Sequence, residues 1–210
     1  GGTGSGKSTV VNLIPRFYDA SAGQVCFFGQ DVRKYRRKEL RNQIGIVPQK
    51  AVLFAGTVRE NMQWGKKDAT DEEIWEALKT AQAEEFIRAK EGGLDANIEQ
   101  GGRNLSGGQR QRLTIARALV KKPRVLILDD SASALDYATD AALRKAIRQM
   151  EGAPTVFIVS QRTSSLMSAD RILVLDDGER TGYGTHEELL KNCQTYREIY
   201  NSQYGKKEEA

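Results

Sequence analysis

The chain is poor in the residues that most often announce chemistry. It has one histidine and two cysteines among 210 residues. Cys26 and Cys193 stand far apart, lack metal-ligand spacing, and have no base near them in sequence. Neither a cysteine-bound metal nor a thiol nucleophile is indicated, and a reducing compartment suits both thiols. No apolar run is long enough to span a bilayer, and no signal peptide is visible. The charge excess is small: 32 Lys and Arg against 28 Asp and Glu leave +4, which does not by itself argue for a nucleic-acid partner. No internal repeat is visible. What remains is a globular composition, 39% hydrophobic and 29% charged, at a length that suits one large α/β domain with a proper core.

The most informative stretch comes first: Gly1-Gly2-Thr3-Gly4-Ser5-Gly6-Lys7-Ser8-Thr9. Gly1, Gly6, Lys7 and Ser8 satisfy the phosphate-loop pattern G-x-x-x-x-G-K-[ST]. Glycines let backbone N–H groups turn inward around an anion without Cβ clashes. Lys7 would reach the β- and γ-phosphates of a nucleotide, and the Ser8 hydroxyl would ligate Mg²⁺. Val10, Val11, Leu13 and Ile14 suit a helix whose N-terminus faces the phosphates. Taken alone, so short a motif also reads as a Gly/Ser linker. A phosphate loop ordinarily follows a buried strand, and none precedes this one, so the sequence is expected to be a piece of a longer chain.

Further along, Gln24–Phe28 reads as a short strand between glycines, and Arg37–Asn42 as a polar helix. The basic run Arg33-Lys34-Tyr35-Arg36-Arg37-Lys38 is either a solvated face or a contact for phosphate-rich ligands or lipid head groups. Ile44–Val47 is a strand stopped by Pro48, with Gln49 just beyond it. Thr57 is placed to cap a turn holding Val58 and Met62, and Asp71 to cap a helix with Ile74, Ala77, Leu78 and Ala81 on one face. Ala83–Lys90 continues helical as far as Gly92. Val125–Leu128, Val156–Val159 and Ile172–Leu175 are unbroken apolar runs, the pattern of parallel strands buried on both faces. A helix over Ala138–Met150 makes the crossover. Thr181–Gly184 is expected as a turn. Thr185 caps a helix with Leu189 and Leu190, a last helix carries Tyr196, Ile199 and Tyr200, and the tail 205–210 is expected to be disordered.

Two more stretches carry chemistry. Val125–Leu128 ends in Asp129 and Asp130, and ligands of open α/β sheets bind beyond the carboxyl ends of strands. Asp129 is thereby placed to hold Mg²⁺ opposite Ser8, and Asp130 to face an attacking water. Alone, the pair reads equally as an acidic strand end. Leu105-Ser106-Gly107-Gly108-Gln109 opens a long helix that Ser106 can cap, with two glycines leaving its first N–H groups uncovered. This is a second anion site, suited to a nucleotide held by another molecule, or else a Gly-rich turn before a helix.

The phosphate loop, Gln49, Leu105–Gln109, Asp129 and Ser133-Ala134-Leu135-Asp136 occur in the order of ATP-binding cassette (ABC) ATPase domains, which the chain resembles over nearly its whole length. Ile46-Val47-Pro48-Gln49 with Phe54-Ala55-Gly56-Thr57-Val58-Arg59-Glu60-Asn61 resembles the exporter branch, in which membrane helices precede the ATPase on one polypeptide. The resemblance implies an α/β P-loop NTPase fold: a RecA-like parallel sheet covered by helices (1–50 and 122–204), with a helical signature subdomain (51–121). It implies ATP and Mg²⁺ as cofactors and a place on the cytoplasmic face of the cell membrane. It also implies head-to-tail dimerisation with a second ABC ATPase domain, and no nucleic-acid partner. Gly1 to Thr9 would hold one nucleotide, and Leu105–Gln109 would read the γ-phosphate of the partner's. Gln49 would sense Mg²⁺ and touch the membrane domain, while Ser133–Asp136 would run along the dimer interface.

Three positions depart from the family pattern. The base after the Mg²⁺ aspartate is Asp130 rather than Glu, the switch His is replaced by Gln161, and Gln100 stands where exporters usually have Glu. Asp is one methylene short, and Gln can neither carry a proton nor become cationic. The sole histidine, His186, cannot replace the switch residue by position. The expectation is therefore the weakly hydrolytic half of a heterodimeric exporter. One rival, an ABC-type ATPase of DNA repair or chromosome maintenance, calls for a coiled coil or zinc element between Gln49 and the signature, where only a compact helical insert fits. The other, a non-hydrolysing ATP-dependent scaffold, is separated by turnover of the complete heterodimer.

Overall fold

The computed structural model describes residues 4–204, without the side chain of Ala132. Gly1, Gly2 and Thr3 of the phosphate loop and the tail 205–210 lie outside the described residues. In chain order the elements are α1 (Lys7–Leu13), β1 (Cys26–Phe27), β2 (Gln30–Asp31), α2 (Arg37–Asn42), β3 (Ile44–Val47), β4 (Gly56–Thr57), α3 (Val58–Gln63), α4 (Asp71–Thr80), α5 (Glu84–Arg88), β5 (Asn97–Ile98) and α6 (Gly107–Leu119). Then come β6 (Val125–Asp129), α7 (Tyr137–Arg148), β7 (Thr155–Val159), β8 (Ile172–Asp176), β9 (Glu179–Gly184), α8 (His186–Asn192) and α9 (Gln194–Tyr204). The chain divides into two compact units, Tyr35–Phe157 and the combination of Gly1–Lys34 with Ile158–Ala210.

In the Tyr35–Phe157 unit, β3 and β6 pair in parallel, Ile44 opposite Val125 and Val47 opposite Leu128, within a sheet of order β3-β6-β7. Val125–Leu128 are all buried, as an apolar run covered on both faces should be. β7 departs from that pattern: Thr155 and Phe157 are exposed and alternate with partly covered neighbours. Gly45 is in β3 because helix α6 crosses it closely. A Cβ there would stand 2.9 Å from the Ala118 carbonyl oxygen and 3.0 Å from Leu126 Cδ1 and Pro123 Cγ.

The helices α3, α4 and α6 cover one another with Val58, Met62, Ile74, Leu78, Leu113 and Ile115, all fully buried. Each starts with a capping box, in which a Ser or Thr oxygen accepts the N–H three residues on and a Glu or Gln side chain accepts the cap's own N–H. For α4 the cap is Thr70, with Glu73, one residue before the expected Asp71. Asp71 is drawn instead to Arg59, whose guanidinium also donates to Asp95 at 2.9 Å. Helix α5 is shorter than the expected Ala83–Lys90 and is followed by Gly92 in a left-handed turn. Asn61, 1% exposed, exchanges hydrogen bonds of 2.9 Å with both main-chain groups of Phe54 and donates to Thr57 O at 3.0 Å. One side chain thus fixes the Phe54–Thr57 loop.

In the other unit, β8 forms an antiparallel hairpin with β9, Ile172 opposite Gly184. This corrects two expectations: Ile172–Leu175 is not a parallel strand covered on both faces, and Thr181–Gly184 is strand rather than turn. The turn lies at Asp177 and Gly178, both left-handed, and Leu173 on β8 is exposed. Thr185 caps α8 with Glu188. One face of the hairpin packs Ile172 and Val174 against Leu189, Cys193 and Tyr196. Near residue 31 the Arg33 guanidinium beside Asp31 holds its carboxyl down at about 2, and Arg33, Arg36, Arg37 and Lys38 are all exposed.

Replacing Gly45 with Ala forces α6 away from β3 or bends the strand. Equilibrium denaturation should show Gly45→Ala less stable than the parent by ~1–3 kcal/mol, the usual range for overpacking.

Candidate nucleotide site

Each chemical stretch lies at the end of a strand or the start of a helix. In the unit that contains the N-terminal segment, Gly4 and Gly6 are left-handed, at φ 83° and 87°. Among the described residues, a Cβ on Gly4 would meet nothing within 4 Å. Gly6 O accepts from Val10 N–H at 3.0 Å and starts α1, making Lys7 and Ser8 its first residues. Lys7 Nζ donates to the buried Ser5 Oγ at 3.0 Å, and Thr9 is exposed on the same turn. Left-handed glycines, an ammonium and a hydroxyl are the donor set that phosphates take.

Gln161 follows β7 with its side chain exposed. Its carbonyl oxygen accepts from Gln203 Nε2 at 2.7 Å. His186 is engaged elsewhere: its Nδ1 lies 2.8 Å from the Tyr196 hydroxyl, and its ring packs against Tyr196 and Tyr200. Burial pushes the Tyr196 hydroxyl up from its ordinary pKa, with Tyr200 and Tyr204 adding to the effect.

In the Tyr35–Phe157 unit, the parallel register decides the geometry. Gln49 lies two residues past Val47 and Asp130 two past Leu128, so both emerge at the same end of the sheet. Gln49 Nε2 donates to Asp130 Oδ2 at 3.2 Å. Asp130 is left-handed, at φ 48°, and its carbonyl accepts from Ser133 Oγ at 2.8 Å. Asp129 is the last residue of β6 and is partly exposed. Among the described residues, no group of three or more His, Cys, Asp and Glu is arranged to hold a metal. In this unit the candidate ligands Gln49 and Asp129 each offer a hard oxygen, the donor type that Mg²⁺ takes.

Ser106 caps α6, accepting from Gln109 N–H at 3.2 Å, while Gln109 Oε1 accepts from Ser106 N–H at 3.0 Å. This reciprocal pair satisfies two donors and leaves the N–H groups of Gly107 and Gly108 at the mouth of the helix. Leu105 is buried beneath them. A Cβ on Gly108 would lie 3.4 Å from Ala134 O, so the turn Ser131–Ala134 runs beside the signature.

Sequence reasoning missed Arg112. Its Nη1 donates to Gln82 O at 2.7 Å, its Nε to Gly108 O at 3.4 Å, and its guanidinium lies over the Phe86 ring. It ties the signature end of α6 to the turn between α4 and α5. Burial lowers its pKa, against the opposing carboxylates of Asp136 and Glu85. Gln203 was also missed; its contacts are long-range and leave no local spacing pattern.

Residues 1–133 match the profile of the family described as ABC transporter. An uncharacterised ABC transporter ATP-binding protein of Mycobacterium tuberculosis is 48% identical over 206 residues, 97% of this chain and 35% of that protein. A Bacillus subtilis ATP-binding/permease protein, whose name assigns it provisionally to multidrug export, is 43% identical over 203 residues, covering 97% and 35%. The structure of a bacterial Atm1-family ABC exporter with ATP bound superposes with a TM-score of 0.91 at 37% identity, covering 96% of this chain and 36% of that one. The chain belongs to the ABC transporter family and is an ATP-binding domain of the exporter type. It spans about a third of the length of the relatives it matches.

Asp136 closes the turn beside the signature by capping α7. It accepts from Thr139 N–H at 2.9 Å and Thr139 Oγ at 2.7 Å, and these bonds hold its carboxyl below the usual carboxylate range. A carboxyl lowered in the folded state contributes stability that is present above its unfolded pKa and lost as pH falls through the folded value. Asp136→Asn keeps a capping oxygen without the titration. Its stability should therefore fall less steeply than the parent's on acidification through the carboxylate range, as read by denaturation at a series of pH values.

Proposed function

We propose that this domain binds Mg²⁺-ATP on its own phosphate loop, turns it over slowly, and completes the active site of a different ABC domain in a heterodimeric exporter. On this reading Gly1, Gly2, Thr3, Gly4, Ser5, Gly6, Lys7, Ser8 and Thr9 cradle the phosphates, and Ser8, Gln49 and Asp129 hold Mg²⁺. Asp130 and Gln161 occupy the base and switch positions. Leu105, Ser106, Gly107, Gly108 and Gln109 address the γ-phosphate on the partner. Residues 1–50 and 122–204 act as the nucleotide-binding core and 51–121 as the signature subdomain. The membrane helices belong to the same polypeptide, with this domain on the cytoplasmic face. The ATP-binding/permease relative and the one-third coverage support that arrangement.

The observation that carries the slow-site reading is the bond from Gln49 Nε2 to Asp130 Oδ2. A carboxylate that is one methylene short and already accepts from an amide is a poor base for water, and a misplacement of about 1 Å costs on the order of 10²-fold in rate. A Gln at 161 stabilises developing charge only as a neutral donor. The signature, by contrast, retains its capping box with two glycine N–H groups at the helix opening, as an anion reader requires.

The test is steady-state ATPase of the intact heterodimer. Gly108→Asp puts a carboxylate where N–H groups should meet a phosphate and should remove most activity. Asp130→Asn should cost far less. Equal damage from the two would make Asp130 a working base and overturn the assignment. Lys7→Ala removes charge-assisted bonds to phosphate. It should lower nucleotide occupancy at one of the two sites and leave turnover at the other, and unchanged occupancy at both would refute the phosphate-loop assignment.

A further inference from the structure

The segment after β7 is held from the far end of the chain. Gln203, in the last turn of α9, reaches back 42 residues to donate from Nε2 to the carbonyl oxygen of Gln161 at 2.7 Å. Its Oε1 accepts from Thr163 N–H at 2.9 Å and from Thr163 Oγ–H at 2.8 Å. Main-chain N–H donates and carbonyl oxygen accepts, so these partners permit only one orientation of the amide. An ionised carboxylate of the same length only accepts, whereas the amide donates and accepts at once.

The loop needs this outside support. Thr163–Ser165 is a single 3-10 turn whose N-cap residue, Arg162, makes no side-chain capping bond. Thr163 is 2% exposed, so its N–H would be buried and unpaired without Gln203. Within the loop, Arg162 N–H donates to Ser160 Oγ at 2.9 Å and Leu166 N–H to Thr163 O at 2.9 Å. Gln203 supplies the missing cap from α9 and at the same time pins the peptide plane between Gln161 and Arg162. Holding that plane restricts ψ at Gln161, the torsion between the plane and the atoms that carry the side chain at 161.

We propose that Gln203 is a positioning residue for the switch position: α9 sets the reach of the side chain at 161, so that the C-terminal helix governs turnover at this domain's own nucleotide. This rests on reading Gln161 as the switch position. The bond is to main-chain oxygen and so survives a change of side chain at 161.

The experiment uses the intact transporter carrying Asp130→Glu with Gln161→His, with turnover at this domain's site read as the gain in kcat over the parent. Gln203→Glu keeps the acceptor for Thr163 but sets a carboxylate oxygen against Gln161 O. It should lower that gain about tenfold with KM for ATP unchanged, the effect of losing one positioning hydrogen bond. A role confined to docking α9 keeps the Thr163 bonds and predicts no change in kcat, so an unchanged kcat overturns the proposal. A parallel rise in KM overturns it too, since positioning at 161 leaves ATP affinity alone. Absence of any gain from the double substitution refutes the switch reading of Gln161 by itself. The clamp is then read by amide exchange of Thr163 in the parent transporter: Gln203→Leu should speed it at least about tenfold, and unchanged exchange overturns the clamp.

Discussion

The parallel pairing of β3 with β6 is the constraint on which the Tyr35–Phe157 unit depends. It is short, four residues against four, but its register sets which side chains emerge together beyond the strands. A slip of one residue would break the pairing of Ile44 with Val125 and move Gln49 out of step with Asp130. The same pairing holds α6 through Gly45, where Ala118 O comes within contact of the strand backbone. Strand register and signature helix are consequently set by one packing event. The apolar burial that forms the sheet is also what aims Gln49 and Asp130.

In both units, helix starts are finished with the same device. Thr57 with Glu60, Thr70 with Glu73, Ser106 with Gln109 and Thr185 with Glu188 all close reciprocal boxes. A cap of this kind typically contributes ~1 kcal/mol. At Ser106 it does more than stabilise. The box uses both polar side chains of the signature to make the helix start rigid, and the two residues between them are glycines without side chains to obstruct an approaching anion. Structure and candidate function require the same four residues in the same conformation.

Much of this was legible because it is local. The capping of α6 by Ser106, the stop of β3 at Pro48 and the buried run of β6 are each written within a few residues. Failures came where locality ends. Thr70 and Asp71 are both good caps, and the choice between them was decided by Arg59 drawing Asp71 away. Thr181–Gly184 has little apolar content and two glycines, so it reads as turn. It is strand because it pairs with β8, and Gly182 admits the Cys193 and Leu189 side chains, 2.8 and 2.9 Å from where its Cβ would be. The apolar run of β8 resembles a covered parallel strand, yet its partner is the adjacent hairpin strand. Gln49 with Asp130, 81 residues apart, and Gln203 with Gln161, 42 apart, have no spacing signature. The acidic end of the β6 run pointed to Asp130 and the family pattern supplied Gln49, while Gln203 emerged only from the folded chain.

The contact at Gly45 also makes α6 a lever. Its fulcrum is at Ala118, where the helix lies close over Gly45 of β3, and its working end is at Gly107 and Gly108. Roughly ten residues separate the two, about 15 Å of helix at 1.5 Å per residue. A rotation of about 5° at the fulcrum would sweep the glycine N–H groups through a little over 1 Å, the scale on which a hydrogen bond to a phosphate oxygen is made or lost. Arg112, gripping Gln82 from beside Gly108, is where the α4–α5 turn can push on the long arm.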